Sequence, residues 1–349
     1  MVKLAGIEDW RRLAAWILGL ILLVLVLYYG ALALWPDSRG QVSLVVYGFS
    51  TQEEALTQSI FPAFEQSWEA ETGRDLVIEG VFGPSGTLAS QIVLGSPADV
   101  ALLSNEQHVN WLKAGKRVRA DTGPVVVSFS PMVILTRPGN PKAIAEFSDL
   151  AQPELCLLHA DPRSSGAGDW ALLAEYGSAF FETNDRSTAE AQLEAIWQNV
   201  RLLGSSARAS LTLFELGACD ALVTYEQDAR LARARGVPLE IVLPERTIVA
   251  EHVVVIVDDN VSRSERAVAE DFVAFLLGDP GQQAFARYHL RPAGFEEDAF
   301  PPITSPFTVA DLGGWSKIYP QLVEDLWQTE IEPRLDLESA INLMEMAED

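Results

Sequence analysis

Residues 161–170 read Asp-Pro-Arg-Ser-Ser-Gly-Ala-Gly-Asp-Trp, and the fold that the sequence predicts depends on this stretch. An apolar run of strand length, 155–160, precedes it, and after Asp169 the apolar spacing is that of a helix. Serines and glycines at such a junction leave the N–H groups of the helix N-terminus open toward a ligand. Those groups and the positive end of the helix dipole favour an anion. A capped turn without a ligand is the alternative.

Composition limits the partners of this chain. Its 349 residues are enough for two ordinary domains, and a hydrophobic content of 48% indicates a packed globular protein. The formal net charge of −24 argues against nucleic acid and against anionic membrane surfaces as partners. It also repels anions at long range, so a bound anion must be held by local dipoles.

Cysteine and histidine usage gives no sign of a metal site or a cofactor. Cys156 and Cys219 have neither metal-ligand nor CxxC spacing, and we favour two buried free thiols over a disulfide. The four histidines, at positions 108, 159, 252 and 289, are not paired at ligand spacing.

The N-terminal segment, residues 1–40, has the pattern of a membrane anchor or a signal segment. A charge-free stretch at 13–35 is long enough to cross a bilayer as a helix, and Lys3, Arg11 and Arg12 precede it. Residues 31–33, Ala-Leu-Ala, are similar to a signal-peptidase site, so cleavage is the alternative to the uncleaved anchor that we favour. In both cases the rest of the chain lies outside the cytoplasmic membrane, in the periplasm or its equivalent.

From Val42 onward, strands alternate with helices. The first strands are predicted at 42–48, 76–82 and 98–103, with helices at 53–71, 87–94 and 105–114. Three such units in succession indicate an α/β fold with a parallel sheet and crossover helices.

A second α/β region follows a long apolar stretch. Residues 125–135 lead from one domain into another, after which the alternation restarts with a strand at 155–160. A long helix is predicted over 188–203, and residues 244–250 carry the chain back toward the first domain.

Three turns share one chemistry. They are 85–86, 164–167 and 205–208, and each precedes a predicted helix and offers hydroxyls and unencumbered N–H groups. Ligands of open α/β sheets bind beyond the carboxyl ends of the strands, where turns of this kind lie. One such turn means little, but three in one chain suggest a shared anion site.

At these turns the sequence resembles the sulfate- and thiosulfate-binding proteins that serve ABC importers. The resemblance runs from about residue 42 to residue 320. The order and spacing of the matching segments make it specific. These segments are 47–56, 63–64, 83–87, 98–100, 162–166, 206–210, 220–226, 279–283, 288–292 and 307–315.

The resemblance implies a type II periplasmic binding fold, in which two parallel or mixed sheets flanked by helices form two lobes around a ligand cleft. It places the first part of lobe 1 at 41–125, lobe 2 at 126–246 and the second part of lobe 1 at 247–318. A helical tail follows at 319–349. It also implies a monomer that delivers its ligand to the transmembrane subunits of an ABC permease.

The family holds sulfate with uncharged donors, and the resemblance carries these contacts over residue by residue. They are the backbone N–H of Thr51, the hydroxyl of Ser85, the helix N-terminus at Ser165, Gly166 and Ala167, the N–H of Ala207, and Tyr225.

Three of these positions depart from the family pattern. Tyr225 replaces a tryptophan whose indole N–H is the family's last donor, and a phenol both donates and accepts. Thr51 replaces an aspartate, and Ala167 replaces a glycine. An oxyanion still fits, with molybdate or tungstate as alternatives to sulfate. A membrane-anchored anion sensor that acts through a partner is an alternative of another class.

The sequence does not favour catalysis. Residues 83–87, Gly-Pro-Ser-Gly-Thr, are not a GxSxG nucleophile elbow, because Thr87 takes the last glycine position. No pattern marks His108 or His159 as a base for a serine. The turns also lack the P-loop and GxGxxG phosphate-binding motifs.

Overall fold

The computed structural model describes residues 41–294 and 300–337, together with the isolated positions 16, 19, 23 and 24. The chain divides into two compact units, Met1–Val42 and Ser43–Asp349. The predicted anchor at 13–35 lies outside the described residues except for those four positions. Within the described part of the chain, no helix is both long enough and apolar enough to cross a membrane.

Strands and helices alternate through most of the second unit. The strands are β1 (Val42–Phe49), β2 (Leu76–Gly83), β3 (Val100–Leu103), β4 (Val125–Thr136), β5 (Leu157–Ala160), β6 (Val200–Gly204), β7 (Ala221–Tyr225), β8 (Glu240–Val242), β9 (Arg246–Ile256), β10 (Arg291–Pro292) and β11 (Ser305–Phe307). The α-helices of five or more residues are α1 (Phe61–Thr72), α2 (Ser85–Val93), α3 (Glu106–Ala114), α4 (Gly166–Thr183), α5 (Arg186–Trp197), α6 (Ala207–Glu215), α7 (Glu226–Ala234), α8 (Arg263–Leu277), α9 (Asp279–Arg287) and α10 (Trp315–Tyr319).

Further helical segments, of other helix types or of three residues, complete the fold. Three of them, Ser50–Gln52, Glu53–Ala55 and Leu56–Ile60, lead from β1 into α1. The others are Phe147–Ala151, Ala310–Leu312, Pro320–Ile331 and Glu332–Arg334.

The sheet is mixed and is flanked by helices. Its main order is β2-β1-β3-β9-β4-β7-β5-β6. β1 pairs with β3 in parallel at one end, and β5 pairs in parallel with β6 and β7 at the other. The pairs in the middle, β3 with β9, β9 with β4 and β4 with β7, are antiparallel.

Two long strands, β4 and β9, lie in the middle of this sheet. The first half of β4 pairs with β9, and its second half, from Met132, pairs with β7 and β8. The beginning of β9 pairs with β11 and its end with β3. Both strands are mostly buried because neighbouring strands and helices surround them.

Separate apolar clusters hold the helices to the sheet. α2 and α3 pack against β3 through Leu88, Ile92, Val109 and Leu112. On another part of the sheet, α4 is buried along nearly its whole length, which fixes its N-terminus relative to the strands.

The predicted helix over 188–203 was wrong in its second half. α5 ends at Trp197, and β6 begins at Val200. The Asn199 side chain donates hydrogen bonds to the carbonyls of Leu150 and Gln152, both at 2.8 Å, after the end of the helix. Beyond it, buried and half-buried residues alternate, as expected for a strand.

The preference for free thiols was also wrong, because Cys156 and Cys219 form a disulfide. Their Cα atoms are 4.7 Å apart, although 63 positions separate them in sequence. They are close because β5 and β7 are neighbouring parallel strands, with Leu157 beside Ala221. Residues just before two such strands meet at the same edge of the sheet.

Candidate functional site

Three helices begin around one small cavity. Ser85 is the first residue of α2, Gly166 the first of α4 and Ala207 the first of α6. The first N–H groups of each helix have no partner within the helix, so the three N-termini bring donors and positive dipole ends together.

All seven residues predicted for the site line this cavity. It lies at the carboxyl ends of the parallel strands, because its walls come directly after β1, β2, β3, β5 and β6 and from the end of β7. None of its described lining residues carries a formal charge. They are Phe49, Ser50, Thr51, Pro84, Ser85, Ser104, Ser165, Gly166, Ala167, Ala207 and Tyr225.

Ser165 is the N-cap of α4. Its backbone is extended, and its Oγ accepts a hydrogen bond of 3.3 Å from the N–H of Ala167. Because the cap uses only a lone pair of the oxygen, the hydroxyl hydrogen remains available to a ligand in the cavity.

Two glycines let α4 come close to its surroundings. A Cβ on Gly166 would overlap the Ser104 hydroxyl, and a Cβ on Gly168 would lie 2.6 Å from the carbonyl oxygen of Ala160. Neither position has room for a side chain, and the first of them forms part of the cavity wall.

Backbone hydrogen bonds join the turns around the cavity. The N–H groups of Gly86 and Thr87 donate to the carbonyl of Ser164 at 2.9 and 3.2 Å. The side-chain amide Nε2 of Gln227, in α7, also donates to the carbonyl of Thr51 at 2.9 Å. These contacts hold the segment after β2 to the segment after β5, and the segment after β1 to the start of α7.

Several hydroxyls at the cavity have no hydrogen-bond partner among the described residues. They are Thr51 Oγ1, Ser104 Oγ and Tyr225 OH, and all three side chains are buried. Burial raises the pKa of Tyr225 well above its ordinary value, and the nearby Ser104 hydroxyl offsets part of that rise. The phenol therefore keeps its proton and can donate it.

Ser85 has a polar environment that the sequence did not predict. Its Oγ accepts a 2.9 Å hydrogen bond from the N–H of Ser104 and lies 2.8 Å from Nδ1 of His108. His108 is thus a partner of a serine, contrary to the sequence interpretation. Burial lowers the pKa of His108 to about 3, so the ring is neutral.

A buried carboxyl lies on the far side of this histidine. Asp169 Oδ2 is 3.5 Å from His108 Nε2 and accepts a 3.0 Å hydrogen bond from Asn105 Nδ2. Burial raises the pKa of Asp169 well above its ordinary value, although the Asn105 hydrogen bond counteracts it. Burial thus favours the protonated form of this carboxyl.

The two arginines beside the turns form ion pairs outside the cavity wall. Arg163 pairs with Asp161 at 2.8 Å and with Glu332 at 2.9 Å. Arg208 pairs with Glu54 at 2.7 Å. Both arginines thus brace the turns through acidic partners.

Sequence reasoning missed Ser104, His108 and the role of Asp169. Ser104 directly follows β3, so its position at the end of a parallel strand was a usable signal. His108 is one helical turn beyond that point, and its direction depends on how α3 packs. No group of three or more His, Cys, Asp or Glu residues in the described chain is arranged to hold a metal ion.

A mixed α/β sheet with a donor-lined cavity at its strand ends is the arrangement in which proteins of this class bind small ligands. The family model for bacterial extracellular solute-binding proteins matches residues 44–291. The chain belongs to this family, which is one of binding proteins, so it is not an enzyme.

The most informative relatives confirm the resemblance seen in the sequence. A sulfate-binding protein of Synechococcus elongatus is 32% identical over 301 residues, covering 82% of this chain and 84% of the relative. One from Salmonella typhimurium is 34% identical, covering 73% and 82%. The solved sulfate-binding protein SubI from Mycobacterium tuberculosis is 27% identical, with a TM-score of 0.73, covering 80% and 99%.

Proposed function

We propose that this chain is an extracytoplasmic substrate-binding protein that captures sulfate, or thiosulfate, for an ABC transporter. The observation that supports this most directly is a cavity walled by hydroxyls and helix N-termini, without a formal charge among its described lining residues. The proposed contacts are the N–H of Thr51, the hydroxyl of Ser85, Tyr225, and the N-termini of α4 at 165–167 and of α6 at Ala207.

Donors of this kind are sufficient for useful affinity. Hydrogen bonds to a charged group contribute about 1.5–3 kcal/mol each, so six or seven of them give roughly 10–20 kcal/mol before costs. Association and desolvation offset much of that gain, and a net value near 8 kcal/mol corresponds to a dissociation constant of about 1 μM.

The proposed site favours a fully deprotonated tetrahedral anion. Hydrogen phosphate carries an O–H that needs an acceptor, and leaving it unpaired costs about 1–3 kcal/mol. Unpartnered hydroxyls weaken this discrimination because they can accept as well as donate, and Tyr225 is the one of them that takes the place of a donor-only tryptophan. We therefore expect Tyr225→Trp, which supplies a donor only, to retain or improve sulfate affinity and to widen the preference over phosphate.

We further propose that the site lies between two lobes that close on the anion. Lobe 1 comprises residues 41–125 and 247–318, lobe 2 comprises 126–246, and a helical tail covers 319–349. The pairing of β4 supports this division, since its first half pairs with β9 and its second half with β7 and β8, so that the strand carries the chain from one lobe to the other. Closure surrounds the anion with donors from both lobes.

For the remainder of the molecule, we propose a periplasmic location with residues 13–35 as an uncleaved membrane anchor. The extracellular character of the family supports the location. We also propose that the protein works as a monomer and passes its ligand to the transmembrane subunits of the permease.

A second oxyanion is the alternative substrate. Tyr225 and Ala167 differ from the family's tryptophan and glycine, and these differences favour a test of molybdate and tungstate alongside sulfate.

Titration calorimetry of the purified protein with sulfate, thiosulfate, molybdate, tungstate and phosphate tests the proposal. Micromolar or tighter binding of sulfate or thiosulfate, with weak phosphate binding, is the expected result. Tight phosphate binding across pH 5–8 would contradict a donor-only site. Preferential molybdate or tungstate binding would establish the alternative.

A further inference from the structure

Ser85, His108 and Asp169 form a buried row that begins at the cavity wall. Their exposed fractions are 2%, 0% and 0%, so solvent cannot substitute for any of their hydrogen bonds. Ser85 Oγ lies 2.8 Å from His108 Nδ1, and His108 Nε2 lies 3.5 Å from Asp169 Oδ2. Two atoms in the row, His108 Nε2 and Asp169 Oδ1, have no hydrogen-bond partner within the described structure.

The hydrogen on the histidine ring determines what Ser85 can offer a ligand. Ser85 already accepts the N–H of Ser104, and it has a single hydroxyl hydrogen. If the neutral ring carries its hydrogen on Nε2, Nδ1 is an acceptor and takes the Ser85 hydrogen. If the ring carries its hydrogen on Nδ1, the ring donates to Ser85 Oγ, and the hydroxyl hydrogen is free for the cavity.

The state of Asp169 determines whether the Nδ1–H tautomer is compatible with its surroundings. With hydrogen on Nδ1, the Nε2 lone pair faces the carboxyl, which is favourable when the carboxyl is protonated and repulsive when it is ionised. The other titratable groups around Asp169 are Asp161, Tyr225 and Tyr319, and none of these brings a positive charge that would ionise it. Asn105 fixes the carboxyl through Oδ2.

We propose that His108 and Asp169 are positioning residues that fix the Ser85 hydroxyl as a donor toward the bound anion. Both residues thereby contribute to the preference for a fully deprotonated oxyanion, since a Ser85 that donated to His108 would offer the ligand only a lone pair. This role rests on the proposed function for the identity of the ligand. The orientation of the Ser85 hydroxyl does not depend on it.

Substitution of His108 by asparagine or aspartate tests the proposal with side chains of nearly equal volume. Asn places an N–H near the position of Nδ1, so His108→Asn should retain most of the sulfate affinity. Asp places only an acceptor there once it is ionised, so the titrations are made at about pH 9. There His108→Asp should weaken sulfate binding about 10- to 100-fold, the value of one hydrogen bond to a charged group. Its preference for sulfate over phosphate should fall with it.

A folded-state check accompanies the calorimetry. Thermal unfolding of both variants shows whether each is folded at the temperature of the titration. The proposal would be overturned if folded His108→Asn and His108→Asp lost equal sulfate affinity while the ratio of sulfate to phosphate affinity stayed unchanged. His108 would then contribute packing alone. Asp169→Asn, a neutral substitute that can still donate toward Nε2, should bind sulfate within about threefold of the unmodified protein.

A second measurement reads the tautomer directly and needs no affinity. With ¹⁵N-labelled histidine, the two ring nitrogens of His108 give distinct chemical shifts in the Nδ1–H and Nε2–H forms. We expect the Nδ1–H form both without ligand and with saturating sulfate. An Nε2–H form in either sample would overturn the proposal. If the protein bound no anion of the panel, the proposed function would be contradicted. The tautomer measured without ligand would still decide whether His108 orients the Ser85 hydroxyl.

Discussion

Ser165 serves two purposes with one hydroxyl group. Its oxygen caps α4 by accepting from the N–H of Ala167, and its hydrogen is available to the cavity. Anion binding and helix capping are therefore compatible at this residue, but a substitution removes both.

We predict that Ser165→Ala weakens sulfate binding about 10- to 100-fold, because one hydrogen bond to a charged group is lost. Calorimetry measures the affinity, and thermal unfolding measures the loss of the cap, which we expect to cost about 1 kcal/mol.

Ser206→Ala is the matched control for that experiment. Ser206 caps α6 by accepting from the N–H of Ala209 at 3.0 Å, and its side chain is not part of the cavity wall. It should lose similar stability and much less affinity. Equal affinity losses in the two variants would mean that capping alone explains the effect of Ser165.

Asp228 is a buried carboxylate whose environment only partly compensates its charge. Its Oδ1 lies 3.6 Å from the guanidinium of Arg208, and neither oxygen has a hydrogen-bond partner among the described residues. Burial raises the pKa of Asp228 from 3.8 to about 6, against the attraction of Arg208.

This proton makes stability depend on pH in a defined direction. Between about pH 4 and pH 6 the folded protein holds the proton while the unfolded chain has released it, so the free energy of unfolding falls as the pH rises. We predict that Asp228→Asn removes this slope and raises the free energy of unfolding by about 2–3 kcal/mol above pH 7.

Urea unfolding at several pH values measures that difference. Asp336→Asn is the control, since the side chain of Asp336 is 89% exposed and its removal should leave the pH profile unchanged. If the free energies of unfolding of Asp228→Asn and of the unmodified protein changed with pH in the same way, burial would impose no free-energy cost on the ionisation of Asp228.

At the scale of elements, the disulfide joins the segments that lead into β5 and β7. The N–H of Cys156 donates to Asp220 Oδ2 at 2.9 Å, and the N–H of Asp220 donates to the Cys156 carbonyl at 2.9 Å. The two segments are thus held together by hydrogen bonds as well as by the covalent link.

We predict that replacing both cysteines by alanine lowers the free energy of unfolding by about 2–5 kcal/mol, because the disulfide constrains a long loop of the unfolded chain. Denaturant unfolding measures the change, and the unmodified protein in reducing buffer should match the variant. Detection of two thiols in the unreduced, unfolded protein would contradict the disulfide.

Some strands and helices could be predicted from the sequence, and other features of these elements could not. Alternation of apolar segments was enough to locate most strands and helices, and the turns after β2 and β5 carried their own signal in Ser85 and Ser165. The helix predicted over 188–203 failed because apolar residues continue across Asn199, where the period changes over only a few positions. The disulfide required the order of the strands, which no local pattern supplies.

The candidate site likewise contains residues that the sequence could predict and residues that it could not. Residues in the turns were predictable because small residues and hydroxyls beside a helix start have few other uses. His108 and Asp169 were not, because their function depends on one another across α3 and α4. A side chain three residues into a helix gives no sign of which turn it faces until the helices are packed.

At the scale of the whole molecule, a strongly acidic protein is proposed to hold a doubly negative ligand. The net charge of −24 repels an approaching anion, whereas the helix N-termini attract it only within a few ångströms. Repulsion at long range should therefore slow the encounter without weakening the contacts that are made after closure.

Because the repulsion acts at long range and the donors act at short range, we predict that salt changes the association rate constant of sulfate more than its dissociation rate constant. Added sodium chloride shortens the Debye length from about 30 Å at 0.01 M to about 8 Å at 0.15 M and so screens the repulsion. We expect the association rate constant for sulfate to rise roughly tenfold over that range, with a much smaller change in the dissociation rate constant. Stopped-flow tryptophan fluorescence measures both constants, and sodium chloride alone, mixed without sulfate, is the control. An association rate that falls with added salt would mean that exposed cations, such as those of Arg163, steer the anion to the cavity, and the account based on local dipoles would then fail.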